Sequence, residues 1–303
     1  DQRQRVALLE LEADLDNIRI AWSYWTDKQD ASRLLEFIDG LFLFFELRSS
    51  SIPAIQLFDA AAQKLASDKR DIVCARAQIR ARRSWFSALI GLPEEGLRMA
   101  QESINILRQN NQDFNIQTLL GVAINAVYLN KVEILSQVTQ EVAARAERSG
   151  DAFERVWALE WRAYALILQH QIDEAVQTLQ QGLTLSQGLD NPLVWSWAEA
   201  LLGACSMAMG DTGAAKTYYS RGAQQAEEIN YGRMLQICYE TLGTLALIEK
   251  DLEQAQQFSL KCLRISQECG QTREMLASLR DFASVCIEQG NLDTALKLLA
   301  VVL

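Results

Sequence analysis

A chain of 303 residues, 49% hydrophobic and 22% charged, carries ample apolar side chain for a continuous core and is unlike a disordered polymer. Its formal charge of −10 argues against wholesale nucleic-acid binding, because neutralising phosphates takes an excess of Lys and Arg; a local basic patch is still compatible with an acidic whole. With 3 Pro and 15 Gly, long uninterrupted helices are possible throughout.

The one His leaves zinc chemistry poorly supplied, and the six Cys (Cys74, Cys205, Cys238, Cys262, Cys269, Cys286) contain no C-x-x-C pair. Most lie among apolar neighbours in helical patterns, a usage that suits a reducing cytosol. No apolar run approaches the ~20 residues needed to span a bilayer, since 41–45 soon meets Glu46 and Arg48. Asp1 to Arg5 are too polar for a secretory signal. Leu303 falls inside a helical pattern, and the chain reads as a fragment of something longer.

The first 30 residues differ from the rest. Leu8, Leu11, Leu15, Ile18 and Trp22 recur at spacings of 3 and 4, which predicts one helix with Trp25 extending its apolar face. Residues 1–30 are expected to be an adaptor that caps an array of repeats, whose end face would otherwise meet water.

From Ala31 onward the pattern repeats. Between Ser149 and Ala215, Trp157 is followed 40 residues later by Trp197, Ala163 by Gly203, His170 by Gly210 and Ala175 by Ala215. Fixed-period self-similarity is the signature of stacked supersecondary units. One column of residues (Gly91, Asn130, His170, Gly210, Lys250, Gly290) keeps gaps of 39 and then 40, and predicts left-handed C-caps inside helix pairs. A second (Asn111, Gly150, Asp190, Asn230, Gly270) keeps the same period and closes the second helix of each pair.

Two further columns hold small residues: Gly96, Leu135, Ala175, Ala215, Ala255, Ala295, and Ser84, Ala123, Ala163, Gly203, Gly243, Ala283. Small side chains there let paired helices approach closely, so Leu135 predicts a unit packed differently. Pro53 and Pro93, 40 apart, sit where second helices begin, and Pro192 where a first helix begins. The expected architecture is all-α: seven antiparallel helix pairs over 31–303, the last truncated, in a right-handed superhelix.

Leu202-Gly203, the small-residue columns and Tyr219 four positions after Ala215 resemble the tetratricopeptide repeat. That repeat is usually about 34 residues, so a period of 40 implies helices longer by nearly one turn. HEAT-like pairs also have periods near 40. Gly-Asp and Gly-Asn turns (Gly210-Asp211, Gly290-Asn291) favour the tetratricopeptide reading. The run Glu12, Leu15, Asp16, Asn17, Ile18, Arg19, Ala21, Trp22 is similar to the segment that opens the repeat region of signal-transducing ATPases with numerous domains, including regulators like the maltose regulator and antibiotic-regulatory proteins. That resemblance implies a cytoplasmic sensor whose ligand controls self-association and activity of an ATPase-linked transcription regulator, with the nucleotide-binding module preceding this region.

No G-x-x-x-x-G-K-[ST] or G-x-G-x-x-G stretch is visible. His170 belongs to the turn column, and Glu94-Glu95 follow Pro93 in a first helical turn, where negative charge suits the helix dipole. Glu227-Glu228 likewise lie near a helix end. No catalytic residue, metal or cofactor is expected. In a tetratricopeptide array the first helices line the concave surface, and projecting that register brings Trp85, Tyr128, Trp157, Glu160, Tyr164, Trp197, Glu240 and Arg280 to it. These residues either hold a peptide, helix or small-molecule inducer, or, for the tryptophans, fill space between long helices. Arg76, Arg80 and Arg83, at i, i+4 and i+7, share a helical face beside Arg82. They either bind an anionic partner or pair with acidic groups of the next repeat, although Arg80 and Arg83 fall where the register expects core. The resulting expectation is a regulatory binding module without direct nucleic-acid or membrane contact; the alternative is a constitutive protein-interaction scaffold.

Overall fold

The computed structural model describes residues 2–189, 191–269 and 272–302, which form sixteen α-helices. The chain divides into two compact units, Asp1–Glu46 with Ser50–Gln171, and Leu47–Ser49 with Ile172–Leu303. The first contains α1 (Gln2–Ala13), α2 (Leu15–Asp27), α3 (Ala31–Leu47), α4 (Ser51–Lys64), α5 (Arg70–Leu89), α6 (Pro93–Gln109), α7 (Ile116–Tyr128), α8 (Val132–Ser149) and α9 (Ala152–Leu168). The second contains α10 (Ile172–Ser186), α11 (Pro192–Ala208), α12 (Thr212–Glu228), α13 (Gly232–Ile248), α14 (Leu252–Glu268), α15 (Thr272–Glu288) and α16 (Leu292–Val302). Within each unit, helices adjacent in sequence pack on one another, as α5 does on α6 and α11 on α12.

The turn column has the backbone that its residue types predict. All six residues have positive φ, from Asn130 at 52° to Gly91 at 84°, including His170 and Lys250 at 60°. After each, the next amide donates back across the helix end: Leu92 to the Ser87 carbonyl, Lys131 to Ala126, Gln171 to Leu166, Asp211 to Ser206, Asp251 to Ala246 and Asn291 to Cys286, all at 2.8–2.9 Å. This is the six-to-one bond that satisfies an orphan carbonyl beyond a left-handed residue. Asp211 and Asp251 then cap the following helix by accepting from the Ala214 and Gln254 amides. One tight motif thus ends a helix and starts its antiparallel partner. In the second column Asn111, Gly150 and Asn230 also have positive φ, while Asp190 and Gly270 lie outside the described residues.

The small residues act by contact. A Cβ on Gly203 would lie 2.7 Å from the Tyr219 ring, so α12 sits against α11 where only a hydrogen can fit. Gly96 gives its space to the Asn125 side chain, whose Nδ2 donates to the Ser84 and Gly121 carbonyls. Leu135 is fully buried, and the first helix of its pair, α7, has 13 residues where α9, α11 and α13 have 17. The leading segment is two helices rather than the single one that its spacing predicts, interrupted at Asp14. The Asp14 carboxylate accepts from Asn17 Nδ2, the local side-chain bonding that makes Asp a poor helix-interior residue. Trp22 is buried edge-on against Phe58 of α4, which ties α2 to the repeat core.

Five of the six cysteines are buried and Cys269 is half-buried; all are free thiols. Burial pushes the Cys205 thiol to about 11 and those of Cys238 and Cys262 to about 12, which removes them as nucleophiles near neutrality. Among the described residues, no helix is long and apolar enough to cross a membrane, and no group of His, Cys, Asp and Glu is placed to hold a metal ion.

Candidate functional site

In each unit the first helices of successive pairs touch: α5 with α7 and α7 with α9, and in the second unit α11 with α13. Side chains on these helices are the candidates for a binding surface. Trp85 on α5 is 1% exposed, wedged at right angles to Phe42 and against Trp161, with its indole N–H donating to Glu46 Oε2 at 2.6 Å. Trp157 is buried beside Phe153, and Tyr164 is half-buried and stacked on Trp161. Tyr128 reaches solvent.

Glu160 is an exception among these buried groups. It is 3% exposed, and neither carboxylate oxygen has a hydrogen-bond partner. Burial holds its carboxyl well above the usual range, because a charged form there would be poorly solvated. Folded protein therefore keeps a proton on this group that unfolded protein releases, and stability falls as pH rises from the ordinary carboxyl range through the folded pKa. Glu160→Gln is expected to raise the urea midpoint near neutral pH and leave it unchanged near pH ~4, below the unfolded value. Equal shifts at both pH values would refute a buried neutral carboxyl.

In the second unit Trp197 is buried beneath the Arg233 guanidinium, 4.9 Å from the ring centroid. Glu240 is exposed, yet desolvation by its neighbours and the nearby Asp281 carboxylate push its carboxyl up, against the pull of Arg280. Arg280 is exposed and pairs with Asp281 at 3.1 Å. The eight groove candidates thus divide into a buried set, Trp85, Trp157, Glu160 and Trp197, and a more accessible set, Tyr128, Tyr164, Glu240 and Arg280.

The arginines of α5 are answered inside the first unit. Arg76 donates to the Leu65 carbonyl at the end of α4, and Arg80 to Glu102 of α6. Arg83 bridges Asp59 of α4 and Glu95 of α6, which explains how it occupies a core position. Arg82 has no exposed surface and reaches Asp39, Asn115 and Thr118.

A cleft of about 690 Å³ opens where the α6–α7 and α8–α9 connections meet. Its wall is fixed by Arg145, which lies 3.8 Å over the Phe114 ring and pairs with Asp113 and Glu141. Asn115, also on the wall, is committed to Asp39 and Arg82. The side chains of Gln78, Arg148 and Glu154 line the same cleft and make no hydrogen bond or ion pair among the described residues. The cleft therefore presents an amide, a cation and an anion that are free to meet a ligand.

The fold is similar to that of several solved structures. A signal transduction ATPase with numerous domains from Pyrococcus horikoshii, carrying a tetratricopeptide repeat sensor, matches 98% of this chain with a TM-score of 0.59 and 15% identity. This chain spans 45% of that protein.

The fold is a tetratricopeptide-type array.

A Rap protein complexed with competence and sporulation factor matches with a TM-score of 0.58 and 12% identity, over 96% of this chain and 97% of that one. BtubC (BKLC) from P. vanneervenii matches with a TM-score of 0.53 and 17% identity, over 73% and 89%. Neither a protein-family model nor a curated protein sequence matches the chain. At these identities the likeness establishes the fold, and the residues of the array must be judged by their own geometry.

Sequence reading passed over Gln78, Arg148 and Glu154. Gln78 lies six residues before Ser84, as Trp157 lies six before Ala163, so it occupies the Trp157 column without an aromatic to mark it. Arg148 and Glu154 flank the Gly150 turn of the array, and their convergence with α5 exists only in three dimensions.

Proposed function

We propose that this array is a regulatory binding module whose first unit takes an extended peptide or protein segment in the cleft lined by Gln78, Arg148 and Glu154. The observation that supports it is the pairing of a preformed wall with three uncommitted polar groups of different kinds. A peptide offers an N–H donor and a carbonyl acceptor at each residue, and a primary amide such as Gln78 complements both. Arg148 and Glu154 suit the opposite charges of a peptide's ends or side chains. The volume falls in the range of pre-formed ligand sites, about 300–1,000 Å³. Accessible Tyr128 and Tyr164 extend the surface a longer segment would touch within the first unit.

Two proteins of similar fold support this reading: one is a signal transduction ATPase with a tetratricopeptide repeat sensor, and the other is a Rap protein complexed with competence and sporulation factor. In a parent protein of that plan, an upstream nucleotide-binding module would be controlled by occupancy here, in a cytoplasmic regulator that self-associates on activation. Binding would have to favour one arrangement of the repeats over another to transmit anything. A constitutive scaffold would bind its segment with no such preference.

Pooled synthetic peptides captured on the purified chain and identified by mass spectrometry test the proposal. The retained peptides should lose about tenfold or more affinity, measured calorimetrically, for Arg148→Ala and for Gln78→Ala, in line with a loss of ~1.4 kcal/mol per tenfold. Melting curves should be unchanged. Peptides that bind both variants as tightly as the unaltered chain would show that the cleft is not the site.

A further inference from the structure

The second unit contains another cavity, about 390 Å³, between the C-terminal half of α10, the start of α11 and the C-terminal half of α12. Leu183, Trp195, Glu199, Arg221 and Gln225 line it. Trp195 is held in place by its indole N–H, which donates to Ser186 Oγ at 3.1 Å. The Glu199 side chain is 7% exposed, and Arg221 approaches it from solvent, Nη2 to Oε1 at 2.6 Å. That bond satisfies one oxygen only. Glu199 Oε2 is buried without a partner, and so is Gln225 Oε1.

Two acceptors cannot satisfy each other. Glu199 and Gln225 both line this cavity and each keeps one enclosed oxygen without a partner, so the pair is complemented by a guest that brings several N–H donors and positive charge. Leu183 and the Trp195 ring supply apolar wall for the guest's carbon stem. Arg221, with 59% of its side chain exposed, can keep its bond to Oε1 or swing outward without opening a core. We propose that this cavity binds an organic cation bearing N–H donors, a primary ammonium or guanidinium group, with Glu199 Oε2 and Gln225 Oε1 as its acceptors. The chemistry is shared by a free alkylamine and by a Lys or Arg side chain of a protein segment. It lies wholly within the second unit and does not depend on the peptide cleft of the first.

Calorimetric titration of the full chain with n-butylammonium, n-butylguanidinium and tetramethylammonium chloride tests it. The first two should bind, and tetramethylammonium, equally charged but without an N–H, should bind at least tenfold more weakly. Glu199→Gln should weaken both N–H cations tenfold or more and Gln225→Leu severalfold, with circular dichroism unchanged and Arg148→Ala without effect. No heat from either N–H cation overturns the proposal, as does equal binding of tetramethylammonium or undiminished affinity in both variants. Tighter binding of acetyl-Gly-Arg-Gly-amide than of n-butylguanidinium assigns the site to a protein segment, and the reverse assigns it to a free amine.

Discussion

Trp85→Ala is expected to destabilise the first unit by about 3–5 kcal/mol, the cost typical of truncating a fully buried Trp. The side chain is almost wholly enclosed, contacts Phe42 and Trp161 at ring-centroid distances of 5.4 and 5.8 Å, and spends its N–H on Glu46. Removing it takes away the link that joins Trp161 on α9 to a chain of rings running from Trp22 through Phe58 and Phe86 to Phe42. Trp85→Phe retains most of the ring contact and should cost less. Urea denaturation followed by circular dichroism checks the size, and hydrogen exchange should place the loss in the first unit. Tyr128→Ala is the control: its ring already meets solvent at 36% exposure, and a change within about 1 kcal/mol is expected. A Trp85→Ala protein as stable as the parent would show that the wedge is not part of the core.

Arg82→Met should cost about 2–4 kcal/mol. Breaking one side of a buried ion pair usually costs about 3–5 kcal/mol, because the other charge is stranded. Here Asp39 retains 38% side-chain exposure and can be rehydrated, so the cost falls around or below the lower end of that range. Much of the loss comes from Thr118 and Asn115, which also accept from this guanidinium. Through these bonds Arg82 clamps α3, α5 and the start of α7 together; burial lowers its pKa and Asp39 opposes that shift. The comparison is Arg33→Ala, whose partner Glu36 is as exposed as itself and whose loss should be below about 1 kcal/mol. Equal denaturation midpoints for the two variants would refute the clamp.

The residues differ in how legible they were. Gly91, Asn130, His170, Gly210, Lys250 and Gly290 could be aligned by position alone, because a left-handed cap is a local requirement that recurs with every repeat. The role of Gly203 could also be read, although its partner Tyr219 is confirmed only by the 2.7 Å that a Cβ would find. Asp14 shows the limit of periodicity: the apolar face from Leu8 to Trp22 continues through it, but the helix does not. Burial of Trp85 and Trp157, against exposure of Tyr128, could not be read from a shared register, since it depends on what neighbouring repeats place opposite. For Arg76, Arg80 and Arg83 the spacing was informative, but their partners lie on α4 and α6 or between them.

The sequence by itself determined the period, the helix pairs, the turns that close them and the acidic, helix-rich character that goes with the tetratricopeptide-type fold. Each of these depends on interactions within a few residues or on a spacing repeated along the chain. Tertiary structure alone decided which arginine is a buried clamp, which aromatic is core, and which groups are left without partners. Those outcomes depend on desolvation and on partners brought together from 36 and 43 residues away, as with Arg82 and Thr118 or Asp39. Glu199 and Gln225 are the clearest case: each is an ordinary polar residue in the chain, and only burial beside a cavity makes their unpaired oxygens a site for a ligand.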